Sequence, residues 1–305
     1  MVSAVVVNNE ILTSIDPDFS RPYTDEFSGG VDRELMADFK LSATVTYRRE
    51  RNLQASRNPD NPYATQLTTA VDPGIDGAVG TPDDATYGFY ARLSPANRVI
   101  ITNDPTINQT YKGLELTLTK RLSNRWQMLA GYTLSKNRVD GVSVDVSPNL
   151  LINANGNITQ AANADRPNQF KLTGMYLLPF HDIILSGNFS AQQGPPVTRQ
   201  ISRAVGFATN QVINLEPLGS TRLDTLTKID VRVGKLFRFG ARSLEATVDF
   251  DNLTNAATVW QVRNRTEAAA FTDPTTGVRQ TLPQFGTPSA ILGPRTIVFR
   301  GAFRF

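Results

Sequence analysis

Apolar and polar residues alternate with a period of two through much of this chain. Phe39, Leu41, Ala43, Val45 and Tyr47 share one parity, while Lys40, Ser42, Thr44, Thr46 and Arg48 occupy the other. Successive side chains of a strand point to opposite faces, so such a segment predicts a strand with one oily and one hydrophilic side. The same pattern recurs at Leu114, Leu116, Leu118 and Leu122, then at Trp126, Met128, Ala130, Tyr132 and Leu134. It continues through Phe170 to Leu178, Ile183 to Phe189, Ile229 to Phe237 and Leu244 to Phe250, and an earlier run carries Phe27, Val31 and Leu35. The chain stops on "RTIVFRGAFRF", with Ile297, Phe299, Phe303 and Phe305 on one parity and Arg300 and Arg304 on the other. About nine strands are predicted, each near the 9 to 11 residues that a tilted strand needs to cross a bilayer. Helical periodicity is not convincing anywhere.

The connections alternate between short and long. Short ones fall at Met36 to Asp38, Ser123 to Arg125, Pro179 to His181 and Arg238 to Ser243; long ones run over about 50–108, 137–167, 194–223 and 253–293. Consecutive strands are therefore hairpins with all tight ends on one side. A soluble sandwich has no reason to segregate loops in this way, whereas outer-membrane barrels have short periplasmic turns and longer extracellular loops. Phe39, Trp126, Phe237 and Phe303 lie near the short-turn side, and Tyr47, Tyr132, Phe189 and Phe250 near the long-loop side, which draws two aromatic girdles. The predicted fold is all-β: an antiparallel transmembrane β-barrel wall of about nine or ten strands, residues 22–305, preceded by an N-terminal remnant or partial strand at 1–21. Nine is odd and an open sheet leaves two unpaired edges in lipid, so a further upstream strand is expected, with "VSAVVV" as one candidate.

Composition supports β-structure with polar loops: 40% of residues are hydrophobic and 19% charged, both low for a globular protein. The formal net charge is +3 with basic residues scattered, which argues against a nucleic-acid partner. There is no cysteine, which excludes disulfides, thiolate nucleophiles and Cys-ligated metal centres. No apolar run approaches the roughly 20 residues of a membrane helix, and "MVSAVVVNNE" does not read as a signal peptide.

Four stretches carry a resemblance: "DFSRPYTDEFSGGVDREL", "YKGLELTLTKRLSNRWQMLAGYTLSKN", "DRPNQFKLTGMYLLP" and "KIDVRVGKLFRFGARSLEATVDFDNLTN". They resemble, in order and spacing, the C-terminal part of the barrel of TonB-dependent outer-membrane receptors, most like the Oar-like branch. The resemblance implies a wall incomplete relative to a barrel of about 22 strands. It implies outer-membrane localisation, contact with lipid and lipopolysaccharide, and a final strand ending in Phe303 and Phe305 that the barrel-assembly machinery reads. An N-terminal plug, the other barrel half and, through them, TonB are the further partners implied. Without those parts the expected role is a solute conduit with surface-binding loops, inactive alone in energised uptake. The alternatives are a small self-closing barrel acting as a passive pore or adhesion scaffold, and a soluble β-rich surface-binding protein.

Individual residues add smaller expectations. In "DPGIDGAVGTPDD", Asp72, Asp76 and Asp83 take positions 1, 5 and 12 of a calcium-loop template, with Gly77 as the turn glycine; position 3 is Gly74, so the competing reading is a turn-rich loop. Gly74, Gly77 and Gly80 lack the spacing and lysine of a phosphate loop. Asp230, Arg232, Glu245, Asp249 and Asp251 share the lumen-facing parity of one hairpin, where Arg232 pairs with Asp249 or Asp251. Arg48, Arg49 and Arg51 end a strand at the extracellular side, where lipopolysaccharide phosphates lie; their other reading is a solvated strand end. His181, the only histidine, sits in a tight turn with no catalytic scaffold, so no enzymatic activity and no cofactor beyond that calcium are expected. The N-x-[ST] triplets, Asn157 and Asn252 among them, carry no weight.

Overall fold

A computed structural model describes residues 12–60, 63–72, 79–95, 98–105, 107–140, 147–153, 165–266, 269–272, 279–282 and 285–305. Its dominant feature is one antiparallel sheet of nine strands in strict chain order. The strands are β1 (Tyr23–Met36), β2 (Phe39–Arg51), β3 (Asn108–Ser123), β4 (Trp126–Asp140), β5 (Asn168–Leu177), β6 (Ile183–Gln192), β7 (Leu226–Phe239), β8 (Arg242–Asp251) and β9 (Thr296–Arg304). Every strand expected from the periodicity is present, and all tight hairpins lie at one end.

The register shows why the alternation matters. Directly paired residues share a face, and one row reads Leu41, Leu118, Ala130, Leu172, Phe189, Ile229 across six strands. A row of the opposite parity reads Thr44, Glu115, Thr133, Gln169, Gln192. The sheet therefore has one apolar and one polar face across these strands. Large apolar residues of the first face lie open: Phe299 is 76% exposed, Phe27 70% and Val31 67%.

A buried hydrophobic cluster is found elsewhere. Tyr87, Ile201, Val205 and Ile213 pack together, with Ala70, Phe89, Ile152 and Leu215 against them, so this core joins the first three long loops. The loops carry small sheets of their own, including the hairpins Thr68–Asp72 with Ala85–Phe89 and Gln200–Val205 with Ala208–Asn214. The chain exposes 19068 Å². A self-contained globule of 33.5 kDa would expose about 12,700 Å². The excess is the signature of a wall whose faces meet something other than the chain itself.

Leu12–Ile15 pairs in parallel with the loop strand Arg98–Asn103, which also pairs with Gln54–Arg57. Asp16 fixes this segment: the Asp18 amide (3.0 Å) and the Thr102 hydroxyl (2.8 Å) donate to its carboxylate and hold its pKa below the ordinary range. The chain thus enters β1 from the loop side, and "VSAVVV" lies outside the described residues. Among the described residues β1 pairs only with β2, and β9 only with β8, so the sheet is open.

Candidate functional site: the two faces and rim of a membrane wall

The tight ends are built by residues that accept a left-handed backbone. Asn124 and Arg125 (φ 49° and 71°) form the two-residue turn between β3 and β4, and His181 and Asp182 (φ 62° and 50°) lie in that between β5 and β6. His181 is thus a turn residue, its ring edge-on to Phe180. Beside the first of these turns the β3–β4 ladder is irregular between Lys120 and Ser123. Lys120 has the parity of the apolar face but is 3% exposed. Its ammonium donates to the carbonyls of Arg121 (2.8 Å), Ser123 (3.2 Å) and Trp126 (3.3 Å) and to the Ser123 hydroxyl (2.6 Å). The rings of Trp126 and Phe39 cover it at 4.6 and 5.5 Å. A lysine with the parity of the apolar face is thereby bent into the turn it stabilises.

On the polar face of β7, β8 and β9 the charges interlock. Arg232 donates from Nε and Nη2 to the two Asp249 oxygens, and Arg300 of β9 pairs with the same carboxylate. One row above, Lys228 bridges Asp251 (2.5 Å) and Asp230 (3.1 Å). Arg304 approaches Glu245 at 3.9 Å. Asp230, Arg232, Asp249, Asp251 and Arg300 line a hollow of about 490 Å³ that also takes in Thr173, Ser186 and Asn188. The expected Arg232–Asp249 pairing is found directly across the hairpin; Asp251 is instead the partner of Lys228. Arg300 escapes a reading confined to one hairpin, because it arrives from the next strand.

At the loop end, Asn252 (φ 50°) is 1% exposed; it donates to the carbonyls of Ala256 (2.9 Å) and Gly293 (2.7 Å) and accepts from the Ala256 amide (3.0 Å). It ties the top of β8 to the approach of β9, a structural role that the triplet itself did not disclose. Asp165 and Arg222 form a second knot between long loops, with Arg222 also reaching the Gly194 carbonyl.

The three arginines at the end of β2 divide between faces. Arg48 lies on the polar side over the Tyr111 ring and 3.4 Å from Glu50, so strand parity sets it on the opposite face from the other two. Arg49 and Arg51 share the parity of Tyr47, and Arg51 is ion-paired with Asp25 (3.3 Å). A cleft of about 1000 Å³ lies where the upper β2, β3 and β4 meet the loops, with Tyr47, Lys112, Lys136, Arg138 and Arg222 in its lining.

For the calcium expectation, Asp72 is 1% exposed and its carboxylate accepts from Arg199 (2.6 Å). Asp83 accepts from the Thr81 hydroxyl (2.7 Å). Asp76, Gly74 and Gly77 lie outside the described residues, as does Asn157. Among the described residues no group of three acidic or histidine side chains has metal-binding geometry. Phe303 and Phe305 close β9 with stacked rings 6.3 Å apart, and Phe305 is 98% exposed.

Comparison with known proteins agrees with this geometry. Curated protein sequences contain no match to the chain. Among solved structures, the outer membrane transporter YddB from Escherichia coli is similar over 96% of this chain and 34% of its own length, with TM-score 0.51 and 11% identity. The pyoverdine outer membrane receptor FpvA from Pseudomonas aeruginosa PAO1, solved with pyoverdine bound, is similar over 93% of this chain and 30% of its own, with TM-score 0.52 and 14% identity. At these identities the likeness establishes the fold, and the chain spans about a third of the length of the structures it matches. The sequence model of the outer membrane beta barrel domain matches residues 2–191. With an apolar face for lipid, a polar face for water and loops gathered at one end, the chain belongs to the outer-membrane β-barrel domain family and resides in the outer membrane.

Proposed function

We propose that this chain forms the C-terminal part of the barrel of a TonB-dependent outer-membrane receptor, supplying conduit wall and surface-binding loops rather than catalysis. The observation that carries the reading is the open sheet. β1 begins beside Arg51 and ends at the tight turn, and β9 runs from beside Asp251 to beside Ser243, so both edge strands run the same way. An antiparallel cylinder can be completed only by an odd number of additional strands between them. Edges left open to lipid would cost several kcal/mol per unsatisfied backbone group, roughly, so further wall is required. The similarity to one third of much longer transporters and receptors supports the same reading. In it, the charge lattice around Asp249 faces the lumen, where a plug docks, and the C-terminal Phe303 and Phe305 are presented to the barrel-assembly machinery. Energised uptake then requires the plug and TonB, and the solute is chosen by loops and plug together.

The test is recovery of the chain from native outer membranes under mild detergent. The reading expects it in one assembly with the remaining wall and plug, and expects no discrete conductance from the chain alone in planar bilayers. A stable, unitary pore formed by the isolated chain would overturn it in favour of a self-closing barrel.

A further inference from the structure

The second, third and fourth long loops converge on a small cavity of about 210 Å³. Pro195, Val197 and Leu223 of the third loop form its apolar wall. That wall is fixed: the Leu223 amide donates to the Pro195 carbonyl (3.1 Å), Val197 is buried, and any side chain at Gly194 would collide with the Leu223 carbonyl. Arg166 enters from the second loop, with its Nη1 held on the Gln193 carbonyl (3.1 Å). The fourth loop is stitched to the third by two bonds, from the Gln200 amide to the Asn264 carbonyl (2.8 Å) and from the Thr266 amide to the Gln200 carbonyl (2.9 Å).

The fourth-loop side of the cavity is built around an irregularity. Val259 pairs with Ile291 and Gln261 with Ala290, so Trp260 is an extra residue in that ladder. Successive residues of a regular strand point to opposite faces, whereas Trp260, Gln261 and Val262 all line the same cavity. A bulge that re-aims a side chain is a common device beside a site. Trp260 is 39% exposed, which leaves aromatic surface open to a guest. The other polar side chains of the lining are Arg166, Gln261 and Asn264, and among the described residues no carboxylate joins them. Asp165, the acid next to Arg166 in sequence, is engaged by Arg222.

These groups define the guest. A space of about 210 Å³ lies below the range of pockets that take a whole drug-sized ligand, and it holds one ring with its substituents. Hydroxyls both donate and accept, as do the amides of Gln261 and Asn264. An indole suits the C–H face of a sugar, and a guanidinium with no carboxylate beside it suits one brought by the ligand. A flat aromatic acid would engage Arg166 and Trp260 but leave both amides unmet. We propose that Arg166, Trp260, Gln261 and Asn264 form a binding site for one hexuronate residue of an acidic saccharide. The assignment deepens the reading of the long loops as surface-binding elements and rests on it.

The test uses the full chain, purified from outer membranes in mild detergent, and saturation-transfer NMR on the added ligand. The probes are the methyl glycosides of galacturonic and glucuronic acid, their uncharged parent glycosides, and benzoate. The better uronide should bind about tenfold more tightly than its uncharged parent, the scale of one charge-assisted hydrogen bond, with saturation strongest on its ring C–H protons. Arg166→Gln should erase that preference while keeping the neutral sugar's affinity, and Arg166→Lys should keep part of it. Trp260→Ala should lose both sugars with unchanged circular dichroism. Equal affinity for uronide and parent, a preference that survives Arg166→Gln, or no saturable binding of any sugar would overturn the site. Benzoate binding as tightly as the uronide would overturn the saccharide assignment. Such a failure in a chain that still co-purifies with the remaining wall strikes the site alone, whereas a unitary pore from the isolated chain strikes the reading beneath it.

Discussion

Lys120 shows how a residue can look misplaced and still be required. Its ammonium satisfies three carbonyls and a hydroxyl at the β3–β4 turn. Lys120→Met keeps the length but removes every donor, and should lower stability by about 2 kcal/mol in denaturant titration, the cost of buried acceptors left unmet. Asn252→Ala should cost a similar ~2 kcal/mol, because it removes three hydrogen bonds and a side chain that tolerates positive φ. Asp249 is shared by two half-exposed arginines, so Arg232→Gln alone should cost under about 1 kcal/mol and the double change with Arg300→Gln more than the sum of the singles. A double-mutant cycle would measure this; strict additivity would mean that the two arginines act independently. Parity within one hairpin narrowed the partner of Arg232 to Asp249 or Asp251, and the register selects Asp249. Lys120, Asn252 and Arg300 were not legible, because their roles depend on a ladder irregularity, a loop crossing and a third strand.

At the scale of elements, loop length carried most of the topology. Strands of opposite direction joined by tight turns such as Asn124–Arg125 must place their long connections together, and the nine-strand order follows. The internal folding of those loops was not visible in the sequence: their strands are short, and their core draws Tyr87 and Ile201 from distant segments. Because the chain has no cysteine, single thiols can report sidedness without background. Ser220→Cys, in a long loop, should react with an impermeant maleimide on intact cells, and Ala241→Cys, in a tight turn, only after the outer membrane is opened. The reverse pattern would invert the wall. The last strand offers another test: Phe305→Ala should reduce the amount of assembled protein in the outer membrane several-fold with synthesis unchanged, as membrane fractionation would show. No reduction would remove the assembly role assigned to that ring.

At the scale of the molecule, the apolar face is too exposed and the sheet too open for a self-contained fold. Phe27, Val45 and Phe299 cover no protein core, and the roughly 12,700 Å² of a compact globule is far below the 19068 Å² observed. Hydrocarbon on one side and water on the other resolves both facts, and it is this claim that the fold and the charge lattice share. Spin labels placed one at a time from Leu41 to Thr46 in β2, in membranes, test it most directly. Oxygen, which concentrates in hydrocarbon, should reach labels at Leu41, Ala43 and Val45, while a water-soluble nickel chelate should reach those at Ser42, Thr44 and Thr46. A profile without that two-residue alternation, or with its phase reversed, would contradict the account.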